Sequence, residues 1–116
     1  AIAERIDQVL GGLAAGNTQF MLPLLQEFLK ATDDDIAMLT LASNDNDSRR
    51  FLDYLHRIKG GARIIGADQL VECCTEWEQA PNLSGSMPRA LDQVNDIYGQ
   101  VKQGVLYWQE SKGVIE

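Results

Sequence analysis

Apolar residues recur three and four positions apart along most of the chain, which is the spacing of one face of an α-helix. The pattern predicts helices over residues 2–13, 18–42, 48–65, 68–80 and 87–110. No segment alternates between apolar and polar residues as a half-buried strand does. Four long amphipathic helices with short connections predict an all-α fold, an antiparallel up-down four-helix bundle. We expect the short N-terminal helix to cover one end of it.

The ends of the third predicted helix are marked by residues that suit helix termini. Asp47 or Ser48 can cap its beginning, and Gly66 is a natural stop. Asp68 suits the N-terminus of the next helix because a carboxylate interacts favourably with the helix dipole there.

Length and composition predict one domain over residues 1–116. Apolar residues make up 45% of the chain, and no stretch approaches the roughly 20 apolar residues of a membrane span. The chain opens on Ala1 without a signal peptide, and we expect it to be a piece of a longer protein. The adjacent Cys73 and Cys74 are expected to be reduced thiols of a cytoplasmic domain, at least one of them in the core.

Positive charge is concentrated in one segment of an acidic chain. The net charge is −7, which argues against nucleic acid as a partner. Between positions 49 and 63, however, five cations face one carboxylate, so this segment carries +4 and the remainder −11. These cations are Arg49, Arg50, Arg57, Lys59 and Arg63.

The only histidine, His56, lies in this basic segment and off the apolar face of its helix. At about 100° per residue, the other residues on its side of the helix form a set that we call the His56 face. The His56 face consists of Arg49, Leu52, His56, Lys59, Gly60 and Arg63. We therefore predict an imidazole that points outward among cations, with Leu52 exposed as an apolar docking contact.

Two adjacent glycines follow His56 by one helical turn. A glycine inside a helix costs roughly 1 kcal/mol relative to alanine, so the pair needs a compensating role. Gly60 is the next residue along the His56 face, and its lack of a side chain would let another molecule approach the imidazole. Gly61 points further towards the core, where close helix packing explains it equally well. Lys59 is also within reach of His56 and could meet a phosphoryl oxygen.

Other kinds of site are less well supported. We expect Asp33–Asp35 to be a solvated helix face, since neighbouring carboxylates on a helix diverge by about 100°. One histidine and two adjacent cysteines give no metal set, so no metal site is predicted. No Ser, Cys or carboxylate lies at helical spacing on the His56 face to form a dyad, and no glycine-rich nucleotide loop follows a strand. The residues suit a histidine that receives a phosphoryl group from a partner, or else a non-phosphorylated helical adaptor or dimerisation module.

The sequence resembles the histidine phosphotransfer (HPt) domain family. The resemblance lies in the run His56-Arg57-Ile58-Lys59-Gly60 followed by Gly66, and it extends to the helical layout. HRIKGGAR and the nearby cysteine pair are most similar to the C-terminal HPt domains of BvgS/EvgS-type hybrid sensor histidine kinases.

The resemblance implies a phosphocarrier without kinase activity of its own. His56 would accept a phosphoryl group from a receiver-domain aspartyl phosphate and pass it to another receiver aspartate, with Lys59 neutralising charge and Gly60 leaving room. Receiver domains of hybrid kinases and response regulators would be the partners, met through Arg49, Leu52, Arg57 and Arg63. No cofactor is expected here, because the receiver would supply Mg²⁺. We expect a monomeric cytoplasmic domain without direct membrane contact, at the C-terminus of an inner-membrane sensor kinase.

Overall fold

The computed structural model describes Arg5, Gln8 and residues 18–111. Four helices account for most of them, and we number them in chain order: α1 Thr18–Asn44, α2 Ser48–Ile65, α3 Asp68–Glu78 and α4 Met87–Ser111. A 3-10 turn, Leu83–Gly85, lies in the connection before α4. The predicted helix over residues 2–13 lies outside the described residues, apart from Arg5 and Gln8.

The helices form a closed ring of neighbours. Helix α1 packs on α2, α2 on α3, α3 on α4, and α4 returns to α1. Because each connection is short, successive helices run antiparallel, as in an up-down bundle. The described residues contain no strand. The all-α prediction and the four-helix bundle are therefore confirmed: all four helices begin where predicted, α2 also ends there, and the other three ends differ by one or two residues.

The core is built from the apolar faces that the sequence spacing predicts. On α2, the five apolar residues spaced three and four positions apart are at most 1% exposed. These are Phe51, Leu55, Ile58, Ala62 and Ile65. They fix the rotation of α2 about its axis, since turning the helix would bring these side chains into water. None of the described helices is long and apolar enough to cross a membrane.

Local capping fixes where α2 begins and ends. The Asp47 side chain accepts a hydrogen bond from the Arg50 amide at 3.1 Å, as a helix N-cap does. At the other end, Gly66 adopts φ 78°, a left-handed conformation that costs glycine little. The Ala67 amide then donates to the Ala62 carbonyl at 2.9 Å, which completes a Schellman motif. The tight turn that follows brings α3 back alongside α2.

The acidic run Asp33–Asp35 differs from its prediction. We expected a solvated face, but Asp35 is buried and bonded to Arg57. Asp33 accepts a hydrogen bond from the Tyr98 hydroxyl at 2.7 Å and pairs with Lys102 at 3.1 Å. Two of the three carboxylates therefore take part in contacts between helices, which the sequence of α1 alone does not reveal.

Both cysteines are buried and free, as expected for a reduced pair. Cys74 lies fully inside the core, and burial raises the pKa of its thiol to about 12. A thiol with so high a pKa is not a nucleophile near neutral pH, so Cys74 serves packing, and burial also raises the pKa of the Cys73 thiol.

Candidate functional site

The His56 imidazole points into solvent from the middle of α2. Its side chain is 71% exposed, while Leu55 and Ile58, on either side of it in the sequence, are buried. The apolar face of α2 therefore turns His56 outward, as the sequence spacing predicts.

A carboxylate from the next helix holds the imidazole. Glu78, the last residue of α3, places its Oε2 atom 3.1 Å from Nδ1 of His56. Its other oxygen, Oε1, accepts a hydrogen bond from the Lys59 ammonium. Burial alone would raise the pKa of the Glu78 carboxyl, but the hydrogen bonds and charges of Lys59 and His56 outweigh burial, so its pKa is lowered. Glu78 is therefore an anion that bridges the two residues.

The bridge decides which ring nitrogen is available for chemistry. An ionised carboxylate can only accept hydrogen bonds, so the Nδ1 atom that faces Glu78 carries the proton. In a neutral imidazole the other nitrogen, Nε2, then has an unshared electron pair. No described residue hydrogen-bonds to Nε2. The exposed ring thus offers one nucleophilic atom in a fixed orientation.

The two glycines beside the histidine have different surroundings. A Cβ atom added to Gly60 would meet nothing within 4 Å, so the surface beside His56 is open. A Cβ atom added to Gly61 would lie 3.5 Å from the Phe28 ring, in ordinary van der Waals contact. The surface is therefore open at Gly60, whereas Gly61 lies beside the Phe28 ring of α1.

Lys59 does not stand on the open surface with His56. Its side chain is 11% exposed, and its ammonium is bonded to Glu78 at the boundary between α2 and α3. Helical spacing predicted Lys59 on the His56 face, within reach of the imidazole. The structure instead makes it part of the arrangement that holds the imidazole.

The predicted partner contacts are not all equally accessible. Arg49 and Arg63 are exposed. Leu52 is half-buried and packs against the core, so the prediction that it stands exposed is wrong. Arg57 is exposed, but its Nε atom is bonded to Asp35 of α1 at 3.1 Å. No group of three or more potential metal ligands comes together among the described residues.

Glu78 is the site residue that the sequence reasoning missed. It follows His56 by 22 residues and belongs to another helix, so no local spacing connects them. A signal was nevertheless present. His56 precedes Gly66 by ten residues and Glu78 follows Ala67 by eleven. In two antiparallel helices joined by a tight turn, residues equally far from the turn lie at the same height.

Comparison with known proteins agrees with this architecture. Residues 23–104 match the family described as Hpt domain. The chain belongs to the Hpt domain family. Two curated relatives of this Hpt domain are the Sensor protein EvgS of Escherichia coli strain K12 and that of Escherichia coli O157:H7, each 28% identical over 90 residues. No solved structure matches the chain.

The match lies within one part of each curated relative, which is a much larger protein. It covers 78% of the chain and 8% of each curated relative. The family and its relatives support a role in histidine phosphotransfer within a phosphorelay, as a carrier of phosphoryl groups and not a kinase.

Proposed function

We propose that His56 is the phosphoacceptor of this Hpt domain. It would receive a phosphoryl group from an aspartyl phosphate on one receiver domain and pass it to an aspartate on another. The observation that carries the proposal is the state of the imidazole: it is exposed, its Nδ1 atom is bound to Glu78, and its Nε2 atom is available beside the open surface at Gly60.

The transfer can be written with this geometry. The Nε2 electron pair attacks phosphorus, an N–P bond forms, and the bond from phosphorus to the aspartyl oxygen breaks, so that the receiver carboxylate leaves. The ring becomes more positive as the N–P bond forms, because Nδ1 still carries its proton. Glu78, 3.1 Å from Nδ1, stabilises this charge, as the carboxylate of a catalytic triad stabilises an imidazolium. Attack by a second receiver carboxylate reverses the steps.

Lys59 orients the Glu78 carboxylate and neutralises its charge. A lone anion beside His56 would repel an incoming phosphoryl group, whereas the Glu78–Lys59 pair has no net charge. The ammonium also lies one turn from His56, where its positive charge favours the phosphoryl oxygens. Lys59 therefore supports transfer both through Glu78 and by its own charge.

Receiver domains of hybrid kinases and response regulators fit the chemistry of this surface. Such a partner brings an acidic pocket and Mg²⁺, so the Hpt domain needs no cofactor of its own. Arg49, Arg57 and Arg63, with the half-buried Leu52 beside them, would contact the receiver, and these exposed cations would speed the encounter. By similarity to the EvgS relatives, we propose a cytoplasmic site of action as the C-terminal domain of an inner-membrane sensor kinase.

Phosphotransfer from a panel of purified, phosphorylated receiver domains tests the proposal. We expect the parent domain to acquire a label that is lost in acid and stable in base, as phosphohistidine is. His56→Gln should abolish the label while circular dichroism and the free energy of unfolding stay close to those of the parent. A label retained by His56→Gln would assign the role to another residue. A parent domain that no receiver labels would favour a helical adaptor.

A further inference from the structure

Asp35 is a buried carboxylate whose partner is an exposed arginine. Its side chain is 10% exposed, and its Oδ1 atom lies 3.1 Å from Nε of Arg57, whose side chain is 66% exposed. Burying an ionised carboxylate is costly unless it is paired. Asp35 therefore fixes the Nε side of the Arg57 guanidinium, and the outer edge of the guanidinium faces solvent.

Arg57 is restrained on a second side as well. Its guanidinium carbon lies 5.9 Å from the centroid of the Tyr54 ring, at a cation–π distance. Among the described residues, none hydrogen-bonds to the two terminal nitrogens. A planar guanidinium fixed at Nε and against a ring keeps these donors in one orientation, and less side-chain entropy is lost when they bind a carboxylate.

Asp35 and Arg57 line a groove between α1 and α2, together with the polar residues Glu27 and Thr32. The groove has a volume of about 210 Å³, and its apolar lining includes Leu24, Phe28, Gly61 and Ile64. Leu24 and Ile64 are both more than 40% exposed. An oriented arginine beside exposed apolar side chains is the composition of an energetically important part of a protein interface.

We propose that Asp35 is a positioning residue that fixes Arg57 as a contact for a carboxylate of the receiver domain. The inference rests on the proposed function of His56. Arg57 directly follows His56, and Gly61 in the groove directly follows Gly60. An interface of ordinary size, about 800 Å² on each partner, that reaches Nε2 also covers this position. The acidic pocket of a receiver is complementary to a guanidinium in charge.

The change in charge and the loss of positioning should affect receiver binding in opposite directions when Asp35 is replaced by alanine. Asp35→Ala removes a negative charge near a surface that binds an acidic partner, so charge alone would strengthen binding. Loss of the restraint on Arg57 would weaken it. Asp34→Ala is the matched control, because Asp34 is the exposed neighbour on α1 and the substitution makes the same change in charge and helix propensity.

Single-turnover transfer, with the receiver concentration varied, separates binding from chemistry. We expect Asp35→Ala and Arg57→Met each to raise the half-saturating receiver concentration about fivefold, with the maximal rate unchanged. Asp34→Ala should leave the half-saturating concentration equal or slightly lower. The double variant Asp35→Ala/Arg57→Met should be no worse than Arg57→Met, because Asp35 acts through Arg57.

Two results would overturn the positioning role. One is a half-saturating concentration for Asp35→Ala that equals that of Asp34→Ala, and the other is a double variant whose defects add. If Asp35→Ala fails to fold, Tyr54→Leu replaces it, because this variant keeps the ion pair and removes the ring. It should raise the half-saturating receiver concentration about twofold. An unchanged value would then refute the proposal. Failure of the His56 proposal is recognised separately, because either the His56→Gln variant would still be labelled or no receiver would label the parent domain.

Discussion

Gly60 provides the most direct test of why the surface beside His56 is open. A Cβ atom at Gly60 meets nothing within 4 Å, and the same holds at Gly99, an exposed glycine inside α4. Alanine at either position removes a helix-interior glycine without a clash. Each substitution should therefore raise the free energy of unfolding by about 0.8–1.0 kcal/mol.

The two positions should differ in function although they match in stability. Gly60→Ala and Gly99→Ala should each raise Tm by about 4 °C, measured by circular dichroism. Gly60→Leu places a side chain one turn from Nε2 of His56, where the donor phosphate must approach, and should slow single-turnover transfer roughly tenfold or more. Gly99→Leu adds the same bulk on α4 and should leave the rate unchanged.

Either of two results would refute this reasoning. If Gly60→Leu transfers at the rate of Gly99→Leu, the open surface has no part in access. If Gly60→Ala lowers stability while Gly99→Ala raises it, Gly60 serves packing. Gly61→Ala tests packing separately, since its Cβ atom would lie 3.5 Å from the Phe28 ring.

Three further predictions follow from the site and its support. Glu78→Gln should lower the free energy of unfolding by about 1–2 kcal/mol at pH 7, measured by urea titration, because it removes charged hydrogen bonds. The pKa of Glu78 is lowered below the ordinary value of about 4.3, so its contribution is present above that value and is lost as the pH falls through the lowered pKa. Gly66→Ala should cost about 1 kcal/mol in the same titration, because φ is 78°. Cys73 and Cys74 should resist alkylation at pH 8 in the folded protein and react after unfolding, as measured by mass spectrometry.

Each of these predictions has a result that contradicts it. If the parent and Glu78→Gln still differ in free energy of unfolding at pH 2, the amide perturbs packing and the lost charge is not responsible. The control is Glu76→Gln, an exposed substitution on the same helix. An unchanged stability for Gly66→Ala would mean that the turn after α2 can rearrange. Rapid alkylation of the folded protein would show that α3 opens locally.

The helices and the outward direction of His56 could be predicted from the sequence. Both depend on the periodicity of apolar residues, and Phe51, Leu55 and Ile58 lie where their spacing places them. The cap at Asp47 and the stop at Gly66 are equally local, because each involves residues within one turn. The difference between Gly60 and Gly61 followed from their rotation about the helix axis.

Contacts between residues of different helices could be identified only from the tertiary structure. Helical spacing places Lys59 beside His56 but gives no information about Glu78, which reaches both from α3. The same limit applies to Asp35, whose pairing with Arg57 depends on how α1 packs against α2. The sequence by itself thus determined that His56 points into solvent, because periodicity within one helix decides that. The packing of the bundle decided which nitrogen of His56 is available, because a contact between helices depends on their relative height and rotation.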